Sequence, residues 1–113
     1  MRRGETSTDT FTIDELIYNP KAVQITYRQG NWIIVQKQLN DIDYEIIKNE
    51  EGEDSYTQLI CTLSQEETFR FDSSEETYVQ VRIITQGNVS LVSTIEKIKV
   101  QECLDCNILP LEE

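Results

Sequence analysis

The stretch Tyr78-Val79-Gln80-Val81-Arg82-Ile83 constrains this chain most, because polar and apolar side chains alternate along it without a break. That period suits a strand with one buried face and places Val79, Val81 and Ile83 together on it. The residues upstream set how the strand enters the fold. Ser64 is followed three positions later by Glu67, the spacing at which each side chain satisfies the other's backbone N–H at a helix start. This predicts a short helical turn over residues 64–68, pinned to a core by Phe69 and Phe71. An acidic loop then leads into the strand. The remaining strands must take their register from this capped turn and the strand it feeds.

A second alternation covers residues 22–28, with Val23, Ile25 and Tyr27 on one face and Gln24, Thr26 and Arg28 on the other. Gln29-Gly30-Asn31 marks the turn to a return strand over 32–39, because Gly and Asn tolerate the positive φ of tight turns. A three-residue loop would oppose Tyr27 to Ile33 and Ile25 to Val35. It would carry the inward set to Leu39, place Lys37 at the sheet margin and leave Trp32 and Ile34 partly exposed. A two-residue loop would turn Trp32 and Ile34 inward, since a one-residue slip exchanges the faces. We take the three-residue loop. The same Gln-Gly-Asn turn follows residue 85, and the same loop length pairs Ile83 with Leu91, Val81 with Ser93 and Val79 with Ile95. After Ile95 the apolar phase slips, which predicts a bulge near Glu96-Lys97.

Residues 3–13 are Thr-rich and read as an N-terminal edge strand, followed by a connector over 14–20. A short strand is expected at 44–47, a polar loop at 48–55, and a strand at 56–63 with Leu59, Cys61 and Leu63 inward. About seven short strands and one helical turn predict an all-β chain, an antiparallel β-sandwich, with a partly open barrel as the alternative.

At 113 residues the chain is expected to form one domain spanning 1–113. Its 21 acidic and 10 basic residues give a net charge of −11, which opposes binding to nucleic acid and to anionic membrane surfaces. There is no histidine, which removes the usual general base, the Ser-His and Cys-His pairs and every His-containing metal site. No apolar run approaches the roughly 20 residues that span a bilayer. Arg2 and Arg3 are followed by polar residues where a signal peptide would be apolar. Three cysteines, Cys61, Cys103 and Cys106, do not make a disulfide framework, and Cys61 reads as a small core hydrophobe.

The candidate chemistry is thin. Cys103 and Cys106 have C-x-x-C spacing but lack the further ligands of a zinc site and the βαβ setting of a redox pair. Glu50, Glu51, Glu53 and Asp54 lack the ligand spacing of a calcium loop. Glu66, Glu67, Glu75 and Glu76 lack an apolar cleft that would raise a carboxyl pKa. Asn88-Val89-Ser90 is a glycosylation sequon, which matters only on a secretory route. No catalytic residue, metal or cofactor is therefore expected. Trp32, Ile34, Ile84 and Val92 fall away from the expected core and, if their faces adjoin, form a possible interaction surface.

The segments RGETSTDTFTI, VQITYRQGNWIIVQKQLNDI, LSQEETFRF and YVQVRIITQGNVSLVSTIEKIKV, followed by CLDCNIL, together resemble small phage and prophage proteins of Gram-positive bacteria. The likeness is to the N-terminal, immunoglobulin-like domain of phage baseplate upper proteins, and it spans nearly the whole chain. Its most specific part is the order of the capped turn, the VQVRIIT strand and a Gly-containing hairpin. Where such chains tend to carry an aliphatic residue, this one has Cys103, which weakens a metal reading. The resemblance implies an immunoglobulin-like sandwich with a structural or assembly role near the phage tail, made in the bacterial cytoplasm and carried into the virion or acting before it. The partner would be this protein itself or a tail or baseplate component. The alternative is a carbohydrate-type ligand-binding module using Trp32, Tyr27 or Tyr78.

Overall fold

The computed structural model describes residues 1–93 and 95–104, over which the alternating segments pair into two antiparallel sheets. Strands β1 (Ser7–Ile13), β5 (Asp54–Leu63) and β4 (Ile42–Lys48) form one sheet in the order β1-β5-β4. The other sheet runs β3 (Trp32–Gln38), β2 (Ala22–Gln29), β6 (Thr77–Ile84). Its far edge is shared by two short strands, β7 (Ser90–Val92) and β8 (Glu96–Ile98), which pair with opposite ends of β6. The chain is an all-β sandwich.

Alternation decides what lies between the sheets. Val23, Ile25 and Tyr27 of β2, Leu59, Cys61 and Leu63 of β5, and Val79, Val81 and Ile83 of β6 are each no more than 2% exposed. Burying a side chain of this size contributes about 1.5–3 kcal/mol, so these positions hold the register of the three inner strands.

The capping box forms. Glu67 N–H donates to Ser64 Oγ at 3.2 Å, and Ser64 N–H donates to Glu67 Oε1 at 3.0 Å. It starts α1 (Gln65–Phe69), which buries Thr68. The Thr68 hydroxyl donates to the Glu5 carbonyl at 2.8 Å and accepts from Gly4 N–H at 3.0 Å, fastening the N-terminus over the turn. Phe71 beyond the turn is fully buried and meets the Tyr27 ring edge-on, 5.8 Å between centroids.

Two registers differ from the sequence reading. The first hairpin has a two-residue loop, because Gln29 pairs with Trp32, and Gly30 takes a φ of 57°. A bulge follows, so Tyr27 pairs with Val35 and Ile25 with Lys37, instead of Ile33 and Val35. The extra residue restores the parity that the short loop would have reversed. Val35 is buried, Ile34 is half-buried against the core, and Ile33, expected inside, is 59% exposed. In the second hairpin Ile83 pairs with Leu91 as expected, but Val79 pairs with Glu96 and not Ile95. The slip lies between Val92 and Glu96, before the place expected for the bulge.

Candidate interaction surface

The buried polar groups come first, since they are where chemistry would hide. Tyr27 hydroxyl crosses between the sheets to donate to Asp9 Oδ2 at 2.5 Å. Burial and then this bond push the Tyr27 hydroxyl pKa far up, so it stays protonated. Cys61 stands opposite Asp9 in the β1–β5 ladder, and burial pushes its thiol pKa up. A thiol held protonated and fully enclosed is a poor nucleophile. Gln29 accepts from Asp72 N–H at 2.9 Å and donates to the Asp72 carbonyl and Thr77 Oγ1, both at 2.8 Å. Thr57 Oγ1 donates to the Glu15 carbonyl at 2.7 Å and accepts from Ile17 N–H at 2.8 Å. Such bonds satisfy interior groups and hold strands to loops.

The carboxylates noted in the sequence separate. Glu51 and Glu53 backbone N–H groups bond to Asn49 Oδ1, each at 3.0 Å, which folds the acidic turn. Asp54 faces Lys48 at 2.9 Å and Tyr18 hydroxyl at 2.7 Å. Glu67 binds Lys37, while Glu76 takes Lys97 at 2.7 Å and the Tyr78 hydroxyl. Among the described residues no three His, Cys, Asp or Glu side chains are grouped to hold a metal ion. Cys103 is half-buried, and Cys106 lies outside the described residues.

Of the four residues named as a surface, three are divided between two places. Ile84 and Val92 share the outer face of the β3-β2-β6 sheet, since Ile84 pairs with Ala22 and Ser90, and Val92 with Arg82. Trp32 is 76% exposed at the hairpin tip, and it pairs with Gln29, a core-facing residue. The seven-residue step from Gln29 to Ala22 along β2 puts Trp32 about 23 Å from the Ile84 end. Ile34, packed against the core, belongs to neither place. Of the three aromatics considered for a sugar platform, Tyr27 is wholly buried.

The sequence reading did not find the open side of the sandwich. Where β1 faces β6 and β7, two adjoining hollows of about 250 and 210 Å³ share Ile13, Val81 and Ser93. Phe11 and Ile13 wall one side, and Val79, Val81 and Ile83 form the floor. The hollows reach down to the inner strand β6, whose floor residues are themselves buried. Its ladder is patched at this point, with Val81 N–H donating to Ser93 Oγ at 2.9 Å.

Among the described residues, the groove borders an edge strand that lacks the usual guards. Edges are commonly protected by charge, by bulges or by brevity. The β4 edge carries exposed Asp43, Glu45 and Lys48, β3 has its bulge, and β7 and β8 are three residues each. β1 is seven residues long, pairs with β5 without a register shift, and contains neither Lys nor Pro. Its one charge, Asp9, is turned inward to Tyr27. The Thr-rich composition of β1 could have flagged it, but the groove needed the topology. These features define a β-sandwich with a groove beside the β1 edge. No protein-family model, curated protein or solved structure matches the chain.

Proposed function

We propose that this protein is a non-enzymatic structural or assembly module that captures a partner by strand addition along β1. The unguarded β1 edge beside a groove floored by core residues carries this reading. An added strand would bond to the open backbone of β1, while alternate apolar side chains fill the groove beside Phe11 and Ile13. Backbone bonds supply affinity in this mode, and side-chain pockets supply selectivity. We further propose an immunoglobulin-like sandwich of phage or prophage origin that works at the tail or baseplate. That part follows from the motif order described above.

The test is incorporation into purified tail or baseplate particles, comparing the native chain with T10K and T12K. Both threonines are exposed on β1, so each lysine guards the edge without entering the core. The expected result is incorporation of the native chain and its loss in both variants, with melting temperatures unchanged. Equal incorporation of the lysine variants would overturn strand addition. Absence of the native chain from particles and from their assembly intermediates would overturn the phage assignment.

A further inference from the structure

The outer face of the β3-β2-β6 sheet is a different surface and carries a different inference. Its outward positions, read from the cross-strand pairs, are Ala22, Gln24, Thr26 and Arg28 on β2 and Tyr78, Gln80, Arg82 and Ile84 on β6. The flanking strands add Ile33, Gln36 and Gln38 on one side, and Ser90, Val92 and Lys97 on the other. None of these strand positions holds Asp or Glu, in a chain with 21 of them. The carboxylate at the rim, Glu76, is occupied by Lys97 and the Tyr78 hydroxyl.

Arg28 and Arg82 stand exposed on this face. The ion pairs found among the described residues engage Arg2, Arg3, Lys37, Lys48 and Lys97, and neither Arg28 nor Arg82. Arg82 pairs across strands with Gln24, four residues from Arg28 on β2, which separates the two backbone positions by about 14 Å. Between them runs a shallow trough of about 240 Å³, with Gln24, Thr26 and Gln80 in its lining and exposed Ile33 and Ile95 at its sides. Arginine is enriched and Asp and Glu are depleted at protein interfaces, as they are at these strand positions.

We propose that this face docks an extended acidic segment of a partner protein, with carboxylates four residues apart meeting Arg28 and Arg82. Charge complementarity chooses the occupant. In an extended segment, residues i, i+2 and i+4 point to the same side, so two carboxylates would reach the guanidinium groups and the residue between them would meet Thr26 and Gln80. A second copy packed face to face would bring arginines together with no carboxylate on either face to offset them. A sugar would find only Tyr78, already bonded to Glu76, as an aromatic on this face.

The experiment titrates the 15N-labelled protein with a synthetic seven-residue peptide carrying Glu at positions 2 and 6 and Thr elsewhere. A peptide with Gln at those positions and an oligogalacturonate serve as comparison arms. The net charge of −11 repels an acidic probe, so localised binding cannot come from general attraction. The expected result is shifts at Gln24, Thr26 and Gln80 with the Glu peptide. They should weaken by about tenfold or more in R28E/R82E, and weaken with salt. Both arginines are exposed, so the variant should keep its melting temperature. The proposal is overturned by no shift at millimolar peptide, by equal binding of the Gln peptide, or by shifts spread over Thr8 and Gln58 of the other sheet. Tighter binding of the oligogalacturonate would overturn it in favour of a glycan. Native self-association abolished by R28E/R82E would overturn it in favour of a second copy.

Discussion

Replacing Glu67 by Ala tests how the capped turn is joined to the sheets. Glu67 accepts from Ser64 N–H at 3.0 Å and lies 2.9 and 2.8 Å from Lys37 Nζ through its two oxygens. The Lys37 and Glu67 side chains are 15% and 17% exposed, so this pair is better shielded than a surface bridge. Losing half of the capping box should cost about 1 kcal/mol. Leaving the Lys37 ammonium half-enclosed without a partner should cost about 1–2 kcal/mol more, since it can partly turn to water. The expected total is about 2–3 kcal/mol, or a melting temperature lower by about 6–15 °C for a chain of this size. Urea denaturation of the native chain, Glu67→Ala, Lys37→Met and the double variant isolates the pair. In the Lys37→Met background the cost of Glu67→Ala should fall to about 1 kcal/mol. An equal cost in both backgrounds would refute the argument that the pair joins the turn to β3. The pH dependence has a definite sign. Burial works against the Glu67 charge, but the bonds from Lys37 and Ser64 outweigh it and hold its pKa below the ordinary 4.5. Its stabilisation is therefore complete above 4.5 and lost as the pH falls through the lowered value, a loss that Glu67→Gln should abolish.

Val81→Ala removes two methyl groups from a residue 2% exposed, and should cost about 1.5–3 kcal/mol. The lower half is expected because the groove beside Val81 can relax, and a loss under about 0.5 kcal/mol in urea titration would contradict its inward register. Gly4→Ala should destabilise by about 1–3 kcal/mol. Gly4 has a φ of 86°, and an added Cβ would stand 2.6 Å from Phe69 Cζ; an unchanged melting temperature would mean the N-terminus does not pack on α1. Cys61, fully enclosed with its thiol pKa raised by burial, should resist a thiol reagent until the chain unfolds. Mass spectrometry of the alkylated native protein checks this, and prompt labelling of Cys61 would contradict the packing of β5.

Much of the fold could be read because alternation and capping are local. Val79, Val81 and Ile83 declare a face by themselves, and Ser64 with Glu67 declares a helix start. The first hairpin could not be phased this way, since Ile33-Ile34-Val35 are three aliphatic residues in succession and match either face. Loop length was then left to set the parity, and the bulge opposite β2 changed it. Nothing at Ile34 marks a bulge in the sequence. The tie between Lys37 and Glu67 spans 30 positions, so it emerges only after the sheets have packed.

The surfaces were hidden for a different reason. A search for exposed apolar residues finds Trp32 and Val92 but ignores what is missing from a face. Gln24, Thr26 and Arg28 already read as one outward set, and Gln80 and Arg82 as another. Each alone is an ordinary solvated strand face. Only when β2 and β6 are known to be neighbours do the sets merge into an area whose strand positions carry no carboxylate and whose two guanidinium groups have no ion-pair partner among the described residues. Random placement of 21 acidic side chains would have put some of them there, where each could have offset an arginine. At physiological salt, charge acts over about 8 Å, so only carboxylates close to this face can offset its arginines. A face that presents two arginines and no strand carboxylate suits the acidic segment proposed for it, in a chain whose net charge is negative.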